Sequence, residues 1–545
     1  MTNHNAGKTW RKKNLFNSPV HICSNVESFS FFANQLLLHI AAVIHLLCSM
    51  DIDMMQPVQQ VLMPSLNASS SPETLHVLSG SFRSLSLFLL AFSPVKRTLS
   101  LVQQVPGFGP HQYVSTNRDM LRTNGKSDGL VVYTTSWAIP PILSSWEITP
   151  EWHMNHLNNV PITAVSSYIA LPPPYTHLYS MGGPTGESHL LSPGTGSFAE
   201  KIQEVLFIPA EKLVDADKSR KALRYGSHAI EFTHIPGTNT RLAFVPVLGT
   251  SSIEVYTHNP VTGILTHIYS SPSPRIDVED GPRHVKIHPN RKMLYCVTEH
   301  NNLIDVYSIS GDLNATEWST NPLTHLATRS LLPSQLSYPS ASMTTVHQFR
   351  GDTLMLGPGV GGQWPTEIWA TTRGATEDVR GWVSVFKLDQ DGMFTPSISI
   401  DDSAGSEDGV ERYETLTSGG KAHAIDLYLK SSSHISPSVT SHSTHAGSPV
   451  WILLTDDSDY AAGEVRDEYV SQGFPLNSKE IQAIGGVRVL EWDGWSTGGV
   501  QEVVGYPPLE IPEGEPRKGD QGGGIGNEHG DVMRGGSHAV WLTID

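Results

Sequence analysis

Residues Gly281–Ile309 read GPRHVKIHPNRKMLYCVTEHNNLIDVYSI and contain three short runs of mostly apolar and β-branched residues. Polar segments separate the runs, the first of them at His288–Lys292, where Pro, Asn and Arg follow one another. Apolar runs of about five to eight residues bounded by turn residues predict strands in preference to helices. The segment therefore predicts three consecutive strands joined by turns.

The same three-part pattern recurs along most of the chain. Runs that match its first strand are GSHAIEF (Gly226–Phe232), AHAIDL (Ala422–Leu427) and GSHAVWL (Gly536–Leu542). Runs that match its second strand are VVYTTSW (Val131–Trp137), LAFVPVL (Leu242–Leu248), IWATTR (Ile368–Arg373) and WILLTD (Trp451–Asp456). Runs that match its third strand are SIEVYTH (Ser252–His258), WVSVFKL (Trp382–Leu388) and VRVLEWD (Val487–Asp493). Units of three strands with a weaker fourth predict the four-stranded blades of an all-β propeller.

Seven blades fit the available length, because residues 74–545 would then supply about 67 residues to each blade. The terminal GGSHAVWLTID is typical of a first strand whose partners are missing, and those partners are expected near Leu75–Leu90. Pairing of the two ends would close the ring and leave no exposed sheet edge. Loop insertions are expected near residues 403–448 and 506–530, and Glu211–Leu223 is expected to form a short surface helix.

Residues 1–73 are expected to form a poorly ordered extension outside the propeller. Their longest apolar run, Leu36–Cys48, is shorter than the roughly 20 residues that span a bilayer, so no membrane association is expected. The net charge of −17 argues against a nucleic-acid partner. Three cysteines in 545 residues are too few for a disulfide framework, which favours a reducing, cytoplasmic location. Homo-oligomer formation is left open by the sequence.

The repeat alignment brings charged residues to one end of the ring. A turn centred near residue 290 sets Arg283 opposite Val297 and makes Glu299 its diagonal neighbour on the same face. In a propeller such strand ends converge on the mouth of the central channel. The equivalent positions of other units are occupied by His228, Arg373, His423, Asp456 and His538.

Each of these residues also has a structural interpretation. Glu299 could be a solvated residue at a strand end, and Arg283 could join neighbouring blades through their carbonyl groups. A histidine that recurs in His-Ala repeats could tie each inner strand to the next blade. A structural role predicts the same residue in every blade, however, whereas this end carries different residues in different units, which favours a site.

The segment Gly281–Ile309 resembles the seven-bladed propeller lactonase family, and within it the fungal carboxy-cis,cis-muconate cyclases. The runs YGSHAIEF, IWATTRG, LLTDDSD and HAVWLTID are similar to the cyclase pattern as well, so that the resemblance covers roughly Leu75–Asp545. It implies a cofactor-free, metal-independent enzyme that cyclises 3-carboxy-cis,cis-muconate to 3-carboxymuconolactone in the protocatechuate (β-ketoadipate) pathway. The residues that it implies for catalysis are His228, Arg283, Glu299 and Arg373.

A polycarboxylate substrate needs concentrated positive charge, which Arg283 and Arg373 can supply through paired hydrogen bonds to carboxylates. At the same mouth, His423, Asp456 and His538 are expected to add substrate contacts. The general acid is expected to be either His228 or a protonated Glu299.

Two other functions are compatible with the same residues. The His, Arg, Glu and Arg positions are similar in the 6-phosphogluconolactonase branch of the family, which implies hydrolysis of a sugar lactone. A non-catalytic propeller that serves as an interaction platform is the third interpretation, because the fold alone does not imply catalysis.

Overall fold

The computed structural model describes residues 74–544, apart from 125–128, 276–277, 311–320, 361, 396–406, 432–433, 435–446, 459–484 and 508–532. The extension expected at residues 1–73 lies outside the described residues, as do large parts of the two predicted loop insertions. Within the described ranges the helices are all too short or too polar to span a bilayer.

The described chain forms seven antiparallel four-stranded sheets, which are the blades of a propeller. Blade 1 consists of β1 (Leu75–Ser79), β2 (Ser86–Ser93), β3 (Thr98–Pro106) and, as its inner strand, β28 (Ala539–Trp541). Blade 2 consists of β4 (His111–Thr116), β5 (Leu130–Ser136), β6 (Ile142–Ile148) and β7 (Met154–Pro161). Blade 3 consists of β8 (Tyr168–Ala170), β9 (His177–Gly182), β10 (Thr185–Leu191) and β11 (Phe198–Leu206).

The remaining blades follow in chain order, each from its inner to its outer strand. Blade 4 consists of β12 (Glu231–His234), β13 (Arg241–Val247), β14 (Ser252–His258) and β15 (Leu265–Pro272). Blade 5 consists of β16 (Pro282–Ile287), β17 (Met293–Thr298), β18 (Leu303–Ile309) and β19 (Leu323–Ser330). Blade 6 consists of β20 (Phe349–Leu356), β21 (Glu367–Gly374), β22 (Trp382–Lys387) and β23 (Val410–Glu414). Blade 7 consists of β24 (Ile425–Leu429), β25 (Val450–Asp456), β26 (Gly486–Trp492) and β27 (Gln501–Tyr506).

The hydrophobic cores lie between blades. On β17, Leu294 and Cys296 pack in a cluster with blade 4, whereas Tyr295 and Val297 pack in a cluster with blade 6. Successive side chains of a strand point to opposite faces, so a continuous apolar run is required wherever both faces are covered. This explains why the second strands lack the alternation of apolar and polar residues that a half-exposed sheet would show.

The ends of the propeller meet in blade 1, as the sequence predicts. The inner strand β28 is antiparallel to β1, with Val77 opposite Trp541 and Ser79 opposite Ala539. Trp541 is fully buried in the cluster that joins blade 7 to blade 1, where both it and Trp451 pack against Phe92. The all-β, seven-bladed fold and its closure by the terminal strands are therefore confirmed.

The predicted register of blade 5 is wrong by one residue. His284, and not Arg283, lies opposite Val297, while Pro282 lies opposite Thr298. A β-bulge between these two pairs leaves Arg283 as the extra residue, without a partner on β17.

The helices in the described part of the chain are short. They are α1 (Arg118–Asn124), α2 (Met343–Val346) and the 3-10 helices Ala210–Lys212, Arg220–Arg224 and Ser334–Leu336. The helix expected at Glu211–Leu223 is therefore replaced by two separate 3-10 turns. Between them, Asp217 Oδ1 accepts a hydrogen bond of 2.7 Å from the Ser219 amide, a local turn that competes with a continuous helix.

Candidate active site

One end of the propeller brings His228, Arg283, Glu299 and Arg373 to the same cavity, which has a volume of about 340 Å³. Arg283 is near the start of β16 and Glu299 directly follows β17, so the antiparallel pairing places both at one end of blade 5. Arg373 is near the end of β21, and His228 precedes β12. The four side chains that the sequence singled out as catalytic therefore lie together.

The two arginines form a closed ring with two carboxylates. Arg283 Nη1 donates a hydrogen bond to Glu299 Oε2, and Arg373 Nη2 donates one of 3.0 Å to Glu299 Oε1. Asp352, on β20, closes the ring, because its Oδ1 lies 3.2 Å from Arg283 Nη2 and its Oδ2 lies 3.1 Å from Arg373 Nε. Each carboxylate thus bridges both guanidinium groups, which fixes the position of all four side chains.

This ring determines the ionisation of Glu299. Burial alone would raise its pKa, but the charges of Arg283 and Arg373 outweigh burial and lower the pKa to about 2. Glu299 is therefore a carboxylate at neutral pH. The alternative in which a protonated Glu299 serves as the general acid is wrong for the free protein.

His228 is neutral in the free protein. Burial and the charge of Arg283 lower its pKa from 6.5 to about 3. Its Nε2 is hydrogen-bonded to the carbonyl oxygen of Leu223, which can only accept, so Nε2 carries the hydrogen and Nδ1 does not. Nδ1 is buried and has no hydrogen-bond partner among the described residues. His228 therefore presents an unprotonated, unpartnered nitrogen.

The other three predicted site residues do not line this cavity, so the expectation of a single shared cavity is wrong for them. His423 is fully buried, and its Nδ1 donates a hydrogen bond of 3.0 Å to the Thr372 carbonyl of blade 6. His538 lines a different cavity of about 320 Å³, and its Nδ1 accepts a weak 3.4 Å hydrogen bond from the Val114 amide of blade 2. Each histidine therefore connects an inner strand to the neighbouring blade. This is the structural role that the sequence analysis gave as the alternative for the histidines of the His-Ala repeats.

Asp456 is likewise a structural residue in this arrangement. Its Oδ2 accepts a hydrogen bond of 2.5 Å from Thr417 Oγ1, and its Oδ1 accepts one of 2.9 Å from the Ser458 amide. Only 1 % of Asp456 is exposed, so its carboxylate stabilises the loops at the end of blade 7 and is not available to a ligand.

Sequence reasoning missed several residues of the site. Asp352 lies within an irregular part of β20, where the pairing register shifts between Gly351 and Leu354, so repeat spacing cannot locate it. Gly351 allows this irregularity, since a Cβ there would lie 2.1 Å from the carbonyl oxygen of Thr298. Arg220 belongs to the insertion between blades 3 and 4 and has no counterpart in other units. No pattern in the sequence relates either residue to the four that were found.

Residues 218–341 match a family model described as "Lactonase, 7-bladed beta-propeller". A curated relative, muconate cycloisomerase 1 of Cutaneotrichosporon cutaneum, is 26% identical over 361 residues, which cover 65% of this chain and 84% of the relative. These matches confirm the resemblance to the seven-bladed propeller lactonase family. The matched range includes His228, Arg283 and Glu299, whereas Arg373 lies beyond it.

Solved structures support the same fold. A putative 6-phosphogluconolactonase from Bacteroides fragilis has a TM-score of 0.51 at 12% identity, over 87% of this chain and 99% of that one. The periplasmic gluconolactonase of Pseudomonas aeruginosa has a TM-score of 0.50 at 14% identity, over 78% of this chain and 94% of that one. At these identities the likeness concerns the fold alone.

Proposed function

We propose that this protein is a cycloisomerase that converts 3-carboxy-cis,cis-muconate to 3-carboxymuconolactone. The observation that carries the proposal is the charge of the cavity, in which Glu299 supplies the single carboxylate among the described lining residues. Against it stand six cationic side chains, those of Arg220, Arg224, Arg283, Arg350, Arg373 and Lys421. A protein of net charge −17 that concentrates positive charge in one cavity is suited to a small polyanion.

The side chains of the cavity are suited to the steps of this cyclisation. A carboxylate oxygen of the substrate forms a C–O bond to a carbon of the conjugated system, and the π electrons move toward the carbon beside another carboxylate. That carbon then takes a proton, so that the trianion becomes a dianionic lactone. Guanidinium groups facing the carboxylate that gains enolate character stabilise the transition state more than the ground state.

His228 is the proton donor in this proposal. Its Nδ1 is unprotonated in the free protein, but the arrival of three negative charges raises the pKa of a neighbouring histidine and favours the imidazolium. Glu299 then serves as the ionised partner that orients Arg283 and Arg373. The name of the curated relative, a muconate cycloisomerase, supports this reaction class.

A second candidate, hydrolysis of an anionic sugar lactone, is favoured by the resting state of His228. A neutral histidine with an unpartnered Nδ1 is suited to take a proton from an attacking water as a general base. The names of the structural neighbours include gluconolactonases, although their identity to this chain is too low to assign the reaction.

The purified protein should be given both substrates in parallel. Loss of the ultraviolet absorbance of 3-carboxy-cis,cis-muconate supports cyclisation, and faster than spontaneous release of 6-phosphogluconate from its lactone, followed with a coupled dehydrogenase, supports hydrolysis. A protein that turns over only the phosphorylated lactone overturns the first proposal. Turnover of neither substrate, with a partner protein recovered by affinity purification, favours the interaction platform.

A further inference from the structure

The ring of Arg283, Glu299, Arg373 and Asp352 sets two guanidinium groups against two carboxylates, so that their formal charges balance. Most of the donors of Arg373 are already engaged, with Nε on Asp352, Nη2 on Glu299 and Nη1 at 3.5 Å from the Gly420 carbonyl. The excess positive charge of the cavity must therefore come from other residues.

Three arginines supply this excess. Arg220, Arg224 and Arg350 all line the cavity, and none of them has a carboxylate within ion-pair distance among the described residues. We call these three residues the arginine collar. Lys421 is different, because its Nζ lies 2.9 Å from Oδ2 of Asp457, whose other oxygen, Oδ1, accepts a hydrogen bond of 2.8 Å from Arg83 Nε.

The positions of two collar arginines are fixed by neighbouring groups. Arg350 Nη1 donates hydrogen bonds of 2.6 Å to the His347 carbonyl and 2.7 Å to the Phe349 carbonyl. The guanidinium carbon of Arg220 lies 5.2 Å from the centroid of the Trp137 ring, a cation–π contact. Both side chains are partly buried, so their conformational freedom is already restricted before any ligand binds.

Two of the collar arginines, Arg220 and Arg350, lie in surroundings that disfavour their positive charge. Burial and the charge of Arg373 lower the pKa of Arg220. Burial also lowers the pKa of Arg350. The charge of Glu299 raises the pKa of Arg350, but the charge of Arg373 opposes this effect. A partly buried cation that is repelled by neighbouring arginines gains most when an anion is placed beside it.

We propose that the arginine collar is the subsite that holds the anionic groups of the substrate, while Arg283 and Arg373 act on the reacting atoms from within their neutral ring. The inference rests on the proposed function only in its choice of a polycarboxylate as the ligand. The sequence singles out Arg283 and Arg373 as the residues that bind the carboxylates of the substrate. The inference assigns most of this binding to the three arginines of the collar, which repeat alignment does not identify.

Equilibrium binding of tricarballylate, an unreactive tricarboxylate, tests the collar without requiring turnover. In isothermal titration calorimetry we expect Arg220→Gln and Arg350→Gln each to weaken binding by about tenfold, the loss typical of a charge-assisted hydrogen bond. Arg291→Gln is the matched control, because Arg291 lies in the β16–β17 turn at the opposite end of blade 5 and should leave the affinity unchanged. Thermal unfolding of each variant establishes that it is folded.

Two results would overturn the inference: failure of the unmodified protein to bind tricarballylate, and unchanged affinity in both collar variants. The proposed function fails in a different way, namely when the unmodified protein does not cyclise carboxymuconate. A protein that binds tricarballylate through the collar but hydrolyses a phosphorylated lactone would keep the subsite and replace the reaction.

Discussion

Asp352 and Arg373 lie on neighbouring strands of blade 6, and the 3.1 Å hydrogen bond between Asp352 Oδ2 and Arg373 Nε completes the ring that begins with Glu299. Only 1 % of Asp352 is exposed, so it cannot be replaced by solvent as the partner of the two arginines. The geometry of Arg373 therefore depends on a residue that does not itself line the cavity.

The first prediction concerns Asp352→Asn. The substitution keeps the shape of the side chain but removes one negative charge, so the affinity for tricarballylate should rise by about threefold to tenfold. Turnover should fall by about 10- to 100-fold, because the arginines lose their fixed orientation. Asp391→Asn, at an exposed turn of the same blade, is the control and should change neither quantity. A kcat equal to that of the unmodified protein would show that Asp352 does not position the arginines.

Arg283→Ala and Arg373→Ala should both abolish measurable turnover, but only the first should also destabilise the fold strongly. The side chain of Arg283 is 8% exposed and that of Arg373 is 18% exposed. Loss of the more buried arginine leaves Glu299 and Asp352 less compensated, which costs about 3–5 kcal/mol of unfolding free energy. Chemical denaturation of the two variants beside Arg291→Ala measures this difference, and near-normal turnover in either variant would place the reaction elsewhere.

The pH dependence of kcat/KM distinguishes the two roles of His228. Its pKa in the free protein is about 3, so the protonated fraction falls about tenfold per pH unit above that value. Cyclisation with His228 as the acid should therefore slow with a slope near −1 between about pH 5 and 7. Hydrolysis with His228 as the base should be independent of pH over the same range, because the neutral form already predominates.

The corresponding variant is His228→Gln, which should remove this pH dependence together with most of the activity. A slope near −1 that persists in the residual activity of His228→Gln would assign the titrating group to another residue.

Trp541→Ala should destabilise the closure between blades 7 and 1. Trp541 has no exposed surface, and its removal leaves a cavity beside Phe92 and Tyr428. Large-to-small substitutions of this kind cost about 3–5 kcal/mol. Trp364→Ala is the matched control, since Trp364 is 49% exposed and its loss should change the unfolding free energy by less than about 0.5 kcal/mol. Equal stability of the two variants would contradict a closure that depends on β28.

The sequence predicts the blades well because their pattern is enforced by packing on both faces. Runs such as Met293–Val297 must be apolar throughout, since alternate residues contact different neighbouring blades. The register near Arg283 is not predictable in the same way, because a bulge inserts one residue without changing the pattern of the flanking strands.

The same distinction applies to the candidate site. The repeats mark His228, Arg283, Glu299 and Arg373 because each lies close to the end of a strand that belongs to the repeated pattern. The repeats also mark His423 and His538, yet these side chains bond to backbone groups of adjacent blades, and strand position alone does not reveal which way a ring points. Arg220 escapes detection because it lies in a non-repetitive insertion.

The pairing of β28 with β1 has a consequence for biosynthesis. The ribosome synthesises the first three strands of blade 1 long before β28, the strand that covers their inner edge. The sheet of blade 1 therefore remains incomplete during almost all of translation. Products that stop short of Ala539 would retain that uncovered edge, and they are therefore the species that cellular quality control would be expected to recognise.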